Sequence, residues 1–165
     1  MTLIAASSIP AAEPRTRYHL WLHRYAIMLA ACTFVLILIG STVTTTDSGL
    51  AVPDWPTTFG ENMFTYPPSK WVGGIFYEHG HRLVASGVGL LTIGLCVGLW
   101  YSRHRAWLKW LGTAALVLVC IQGVLGGLTV RYHLPPPVSV AHAGTAQIFL
   151  CITVIIAAAL SLIHI

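Results

Sequence analysis

Glu78, His81, Arg82 and His142 are ionisable or metal-ligating side chains set in or beside long apolar runs, where each costs free energy unless something uses it. His81 and His142 are expected in the first turn of two different membrane spans, at similar depth and on the same side of the bilayer. Two imidazoles from facing helices can grip one iron between them, as in bis-histidine haem ligation. An interhelical hydrogen bond or a proton relay would use the same pair. His79 stands two residues from His81 and so nearly opposite on a helix, which leaves one of the two to face a given site. Glu78 favours His81, because a residue three positions earlier shares its face, one turn nearer the outer surface. A carboxylate there could orient the imidazole, move a proton or stabilise positive charge beside a reacting centre. Arg82 is placed either to bind anionic groups at the mouth, such as haem propionates, or to pair with Glu78.

The elements that must position these groups follow from composition. Of 165 residues, 56% are hydrophobic and 8% charged, with a mean hydropathy of +0.75. A soluble domain carries about 25% charged residues, so this chain belongs in a bilayer. Four apolar stretches of the length a spanning helix needs are expected near residues 25–44, 80–101, 108–130 and 140–163. None alternates with the period of two that marks a membrane β-barrel. The expected fold is an all-α membrane protein, an antiparallel bundle of four transmembrane helices with a long outer loop between the first and second. Residues 1–20 read as a flexible cytoplasmic tail, with no apolar signal-peptide core, and residues 21–165 as the membrane domain.

Charge sets the orientation. Arg15, Arg17 and Arg24 flank the first span, and Arg103, Arg105 and Lys109 fill the connection between the second and third. The outer segment holds Lys70 alone against Asp47, Asp54, Glu61 and Glu78. Basic residues stay cytoplasmic, so both termini are expected inside, in a cell membrane of the bacterial inner-membrane kind. Trp21, Trp71, Trp100, Trp107 and Trp110 fall near span ends, as an interfacial belt requires. The net charge of +4 is split between two membrane flanks and gives no nucleic-acid surface. The chain stops at Ile165 with no basic or aromatic stop signal after the last span, and a truncated product is expected.

Cys32, Cys96, Cys120 and Cys151 each fall in a different span, where thiols act as small apolar residues. Gly94-x3-Gly98, and Gly123-x3-Gly127 with Gly126 beside it, mark close helix packing. The small residues at helical spacing from His81 (Ala85, Gly89, Thr92, Cys96) and the matching face below His142 (Thr145, Ala146, Phe149) could line a slot for a flat macrocycle. His19, His23 and His104 read as headgroup anchors, with His133 in an outer turn and His164 at the terminus. Three classes then stand: an enzyme acting on haem, a b-type cytochrome that needs neither Glu78 nor a lid, and a haem-free membrane assembly subunit.

Longer motifs single out one of these. Thr46-Asp47-Ser48-Gly49-Leu50-Ala51-Val52-Pro53-Asp54-Trp55-Pro56, followed by Glu78-His79-Gly80-His81-Arg82, resembles the amino-terminal half of haem A synthase. Gln122-Gly123-Val124-Leu125-Gly126-Gly127-Leu128-Thr129-Val130 and then His142 continue the resemblance in order, over roughly residues 40–150. The resemblance implies oxidation of the methyl group on carbon 8 of haem O to the formyl group of haem A, for use in terminal oxidases. It also implies two similar four-helix halves, each with a histidine pair, one carrying a b-type haem. His81 and His142 become the axial pair for substrate haem, Glu78 the catalytic carboxylate, and the Pro-Asp-Trp-Pro loop an outer lid stiffened by Pro53 and Pro56. Val52 stands where many members have a loop cysteine, so a redox role for that cysteine pair is not expected. With four spans where the family has about eight, the chain is expected to be the front half of a longer protein or to assemble as two copies. Haem O synthase is the partner implied as the source of substrate.

Overall fold

Runs rich in Leu, Ile, Val and Ala build four helices in the computed structural model, which describes residues 14–162. These are α1 (Pro14–Thr45), α2 (Gly74–Tyr101), α3 (Ala106–Arg131) and α4 (Pro136–Leu162), with a 3-10 turn at Pro68–Lys70. All four are long and apolar enough to cross a membrane, and no strand occurs among the described residues. The expected all-α membrane bundle is therefore correct.

The helices are longer at their starts than hydropathy predicts. α2 begins six residues before the expected Gly80 because Glu78 and His79 are paired with the loop and can remain helical. α4 begins at Pro136 and Pro137, where a first turn needs no backbone N–H and a fixed φ helps. His81 and His142 accordingly sit about 10 Å and 9 Å inside their helices, at 1.5 Å rise per residue, and not in a first turn. The stretch 14–20, expected in a flexible tail, belongs to α1. Residues 1–13 of that tail, and His164, lie outside the described residues.

Each helix packs against two neighbours, in the ring α1–α2–α3–α4, with α4 closing on α1. The diagonal pairs, α1 with α3 and α2 with α4, have no comparable contact. The main apolar core lies away from the α1–α2 loop, where Leu29, Leu99, Leu108, Ile156 and Leu160 are buried. Between that core and the loop runs a band in which no residue of any helix is fully buried, spanning 34–42, 80–87, 116–126 and 138–148. Along α2 this band is about 12 Å tall. His81 and His142 both lie in it. Val88 and Phe149 are buried immediately beneath it. Thr92 and Cys96, expected to line a slot below His81, are instead buried in the core, and only Ala85 of that face lies within the band.

Two anchoring expectations change. Trp71 is folded into the loop, its Nε1 donating to the Tyr66 carbonyl at 3.3 Å, instead of joining an interfacial belt. His23 bonds across the bundle through Nδ1, 3.1 Å from the Ala157 carbonyl, and His104 is buried in the α2–α3 turn. The four cysteines are free, as their placement in separate helices requires.

Gly94 packs α2 onto α1: a Cβ there would collide with the Tyr25 hydroxyl, which donates to the Leu91 carbonyl at 2.9 Å. Gly94→Ala is expected to displace Tyr25 and cost about 1–3 kcal/mol, read as a lower unfolding midpoint in detergent. Gly123, where a Cβ meets nothing within 4 Å, is the matched control and should tolerate Ala.

Candidate functional site

The loop from Thr46 to Gly73 is ordered by its own polar residues. The Asp54 carboxylate accepts the backbone N–H of Phe59 at 2.8 Å and of Gly60 at 2.9 Å, and also the Thr57 hydroxyl. Burial works to raise the Asp54 carboxyl, but those hydrogen bonds outweigh it and hold the group below its ordinary value. Thr58 and Glu61 exchange backbone hydrogen bonds of 3.0 Å, and Lys70 closes the tip with a 2.8 Å ion pair to Glu61.

Helix α2 holds this loop from below with three polar residues, Glu78, His79 and Arg82. Arg82 donates through Nη1 to the carbonyls of Asp54 (2.7 Å) and Thr57 (3.2 Å), and through Nη2 to that of Val52 (2.9 Å) and to Glu78. The second oxygen of Glu78 accepts the Val52 N–H at 2.7 Å. Of the two alternatives for Arg82, pairing with Glu78 is thus the one seen, and its terminal nitrogens serve the loop as well. His79 is fully buried, with Nδ1 3.1 Å from the Thr58 hydroxyl and its ring against Trp71 and Tyr66. His79 therefore serves the loop, while His81 points to another helix.

Helix α3 holds the loop from the other side. Trp55 lies on Gly127, where a Cβ would be 2.7 Å from its Cε2 and Cε3 atoms. Only a glycine admits an indole this close to a helix backbone. Residues 52–57 are thus tied to α2 by Arg82 and Glu78 and to α3 by Trp55.

Under this roof stand the two histidines. His81, on α2, rests against Gly40 of α1, where a Cβ would be 3.1 Å from the imidazole Cε1. His142, on α4, rests against Gly126 of α3, where a Cβ would be 3.3 Å from its Cε1. Each ring is seated on a glycine of a neighbouring helix, and the two helices that carry them are diagonal in the ring. The Nδ1 atoms of His81 and His142 are buried with no hydrogen-bond partner, as is the Nε2 atom of His79.

A metal fit can be tested on this geometry. Among the described residues no three of His, Cys, Asp and Glu converge, so the chain does not build a self-contained metal cage. Two opposed imidazoles do suit an iron that brings its own four equatorial nitrogens. The two imidazoles stand on diagonal helices of the ring, each seated on a glycine of a neighbour, and this donor pair fits a haem. Sequence reasoning passed over two contributors, Gly40 and Gln122. Gly40 carries no signal beyond its residue type, whereas Gln122, an amide within an apolar helix, does.

Comparison with known proteins gives the family. Residues 23–164 match the cytochrome oxidase assembly protein family, COX15-CtaA. Curated relatives include the heme A synthase of Alkalihalophilus pseudofirmus, 29% identical over 84% of this chain and 46% of its own length. That of Exiguobacterium sibiricum is 32% identical over 76% of this chain and 42% of its own length. That of Symbiobacterium thermophilum is 34% identical over 78% and 39%. The chain spans less than half the length of these relatives. No solved structure matches.

Arg82→Lys leaves one ammonium for four acceptors and is expected to cost about 2–4 kcal/mol, with amide exchange accelerated in residues 52–60. Gly127→Ala should evict Trp55 and expose the loop to proteolysis without altering helix content. The Asp54 contribution to loop order is fully present above the unfolded carboxyl value, about 3.9, and is lost as pH falls through the lower folded value. Amide exchange at Phe59 and Gly60 should therefore stay slow at pH 5 and quicken only in stronger acid, and Asp54→Asn should quicken it throughout.

Proposed function

This chain belongs to the cytochrome oxidase assembly protein family, and from that premise we propose that it is the haem-oxidising, amino-terminal four-helix unit of a haem A synthase. In this reading it is a membrane oxidoreductase that converts the carbon-8 methyl of haem O to the formyl of haem A. The observation that carries the proposal is the histidine pair itself: His81 and His142 stand on diagonal helices, each seated on a glycine of a neighbouring helix with its Nδ1 buried and unpartnered.

The substrate, haem O, brings the iron and the conjugated ring that make the methyl group oxidisable. The chain supplies the rest. His81 and His142 are the proposed axial ligands, held at matching depth by helices running in the same direction in an antiparallel bundle with both termini cytoplasmic. Val88 and Phe149 form the floor, and the loop roofed by Trp55 excludes water. Glu78 is the proposed catalytic carboxylate at the rim, one turn from His81. Arg82 and the Val52 N–H hold both its oxygens, so it acts as a fixed acceptor for protons or positive charge and not as a freely rotating one. Arg82 reaches the haem propionates, in this reading, by exchanging loop carbonyls for them. Haem O synthase as donor of substrate, and a second four-helix unit for the second haem, complete the proposed partners.

The test is to express the chain with a source of haem O, purify it, and analyse the bound pigment by pyridine haemochrome and mass. Haem A or its hydroxylated precursor is the expected product. Glu78→Gln should retain bound haem but lose at least about a hundredfold of the formyl product, the scale of a lost acid–base or electrostatic group. His81→Ala and His142→Ala should each lose the low-spin haem spectrum. Full product formation by Glu78→Gln, or a parent protein that binds haem and never modifies it, would overturn the enzyme reading in favour of an electron-carrying cytochrome.

A further inference from the structure

We infer that Gln122 is a positioning residue for His142, setting through the backbone of α4 the angle at which that imidazole meets a haem iron. The inference rests on the proposed function and concerns a residue to which that reading gives no role.

Gln122 is an amide in the middle of an apolar helix, where an unused polar side chain is expensive. Its Nε2 donates to the His142 carbonyl at 3.2 Å and to the Thr145 hydroxyl. Thr145 passes the chain on, donating to the Ala141 carbonyl at 2.6 Å. The amide therefore grips the very turn of α4 that bears His142, at residues on both sides of it. One helical turn further along α3, on the same face, Gly126 receives the imidazole itself. Gln122 holds the backbone and Gly126 shapes the seat, so together they fix both the rotation of α4 and the lean of the ring. Thr129 donates to the Gly126 carbonyl at 2.7 Å and steadies the seat in turn.

The two histidines are therefore supported differently. His81 stands on a helix clamped by the Glu78–Arg82 pair and rests on Gly40 without a polar hold from α1. His142 is fixed from α3 by a hydrogen-bonded amide. Orientation of an axial imidazole tunes the iron, so a change at Gln122 should register in the electronic signature of bound haem even though its side chain bonds only α4.

The experiment compares the parent with Gln122→Leu, Thr145→Val and Thr145→Ser, each purified with haem bound. Readouts are the largest g value of the low-spin electron paramagnetic resonance signal, the midpoint potential, and the rate of haem transfer to apomyoglobin. Gln122→Leu is expected to keep its haem, to shift the g value and the potential, and to release haem about fivefold to tenfold faster. Thr145→Val should move them in the same direction by less, and Thr145→Ser, which keeps the hydroxyl, should restore the parent values. A role in helix packing alone would lower the unfolding midpoint of Gln122→Leu and leave g value and potential at the parent's, and that result overturns the inference. If Gln122→Leu fails to accumulate, identical signals from Thr145→Val and Thr145→Ser overturn it equally. A parent with no low-spin haem signal overturns the functional reading itself and this inference with it, so the two failures are distinguishable.

Discussion

The buried ion pair between Glu78 and Arg82 is the constraint on which the loop-side half of the molecule depends. Both side chains are nearly sealed from solvent, at 4% and 10% exposure. Two charges in such a place are tolerable only when their remaining hydrogen-bonding capacity is also used. Four neighbours on one helix cannot do that, because helix backbone groups are already committed to each other. The loop backbone can, and residues 52–57 are bent so that three carbonyls and one N–H point at the pair. The shape of the loop is thus written largely by α2, and Trp55 is carried to Gly127 as a consequence.

Above and below the histidines the bundle obeys different rules. The end remote from the loop is packed by Leu, Ile and Ala in the manner of any membrane bundle, with small residues such as Gly94 and Gly112 letting side chains of neighbouring helices close in. The loop end is held by ions and hydrogen bonds. The band between is crossed by the Gln122 amide, which bonds the His142 carbonyl and the Thr145 hydroxyl of α4, and by His81 and His142 seated on glycines. α2 and α4, which carry His81 and His142, are diagonal in the ring and pack mainly against α1 and α3.

The order of packing also explains why glycine appears where it does near the histidines. Gly40, Gly126 and Gly127 receive His81, His142 and Trp55 respectively, three aromatic rings brought to the helix surface at one level. Gly80, Gly89, Gly123 and Gly144 receive nothing. Residue type alone does not distinguish the two groups, since small residues are frequent throughout membrane helices. What distinguishes them is which neighbouring helix or loop turns a ring toward them.

Class, span number and the chemical identity of the candidate groups were legible from the chain alone. Hydropathy is a sum over some twenty neighbouring residues, and an imidazole or carboxylate inside such a run stands out without any knowledge of contacts. The loop motif and the Glu-x-x-His-Arg pattern were legible for the same reason, being contiguous. The helix starts were misjudged where polar residues are satisfied by distant partners: Glu78 by Val52, His79 by Thr58. The fates of Arg82, Trp71 and His23 turned on partners up to 134 residues away in the chain, as for His23 and Ala157. Whether a polar group in lipid faces a cofactor, a loop or another helix depends on the rotation of each helix against its neighbours. Periodicity defines which residues share a face, but not what that face meets, and only the assembled ring of four helices decides it.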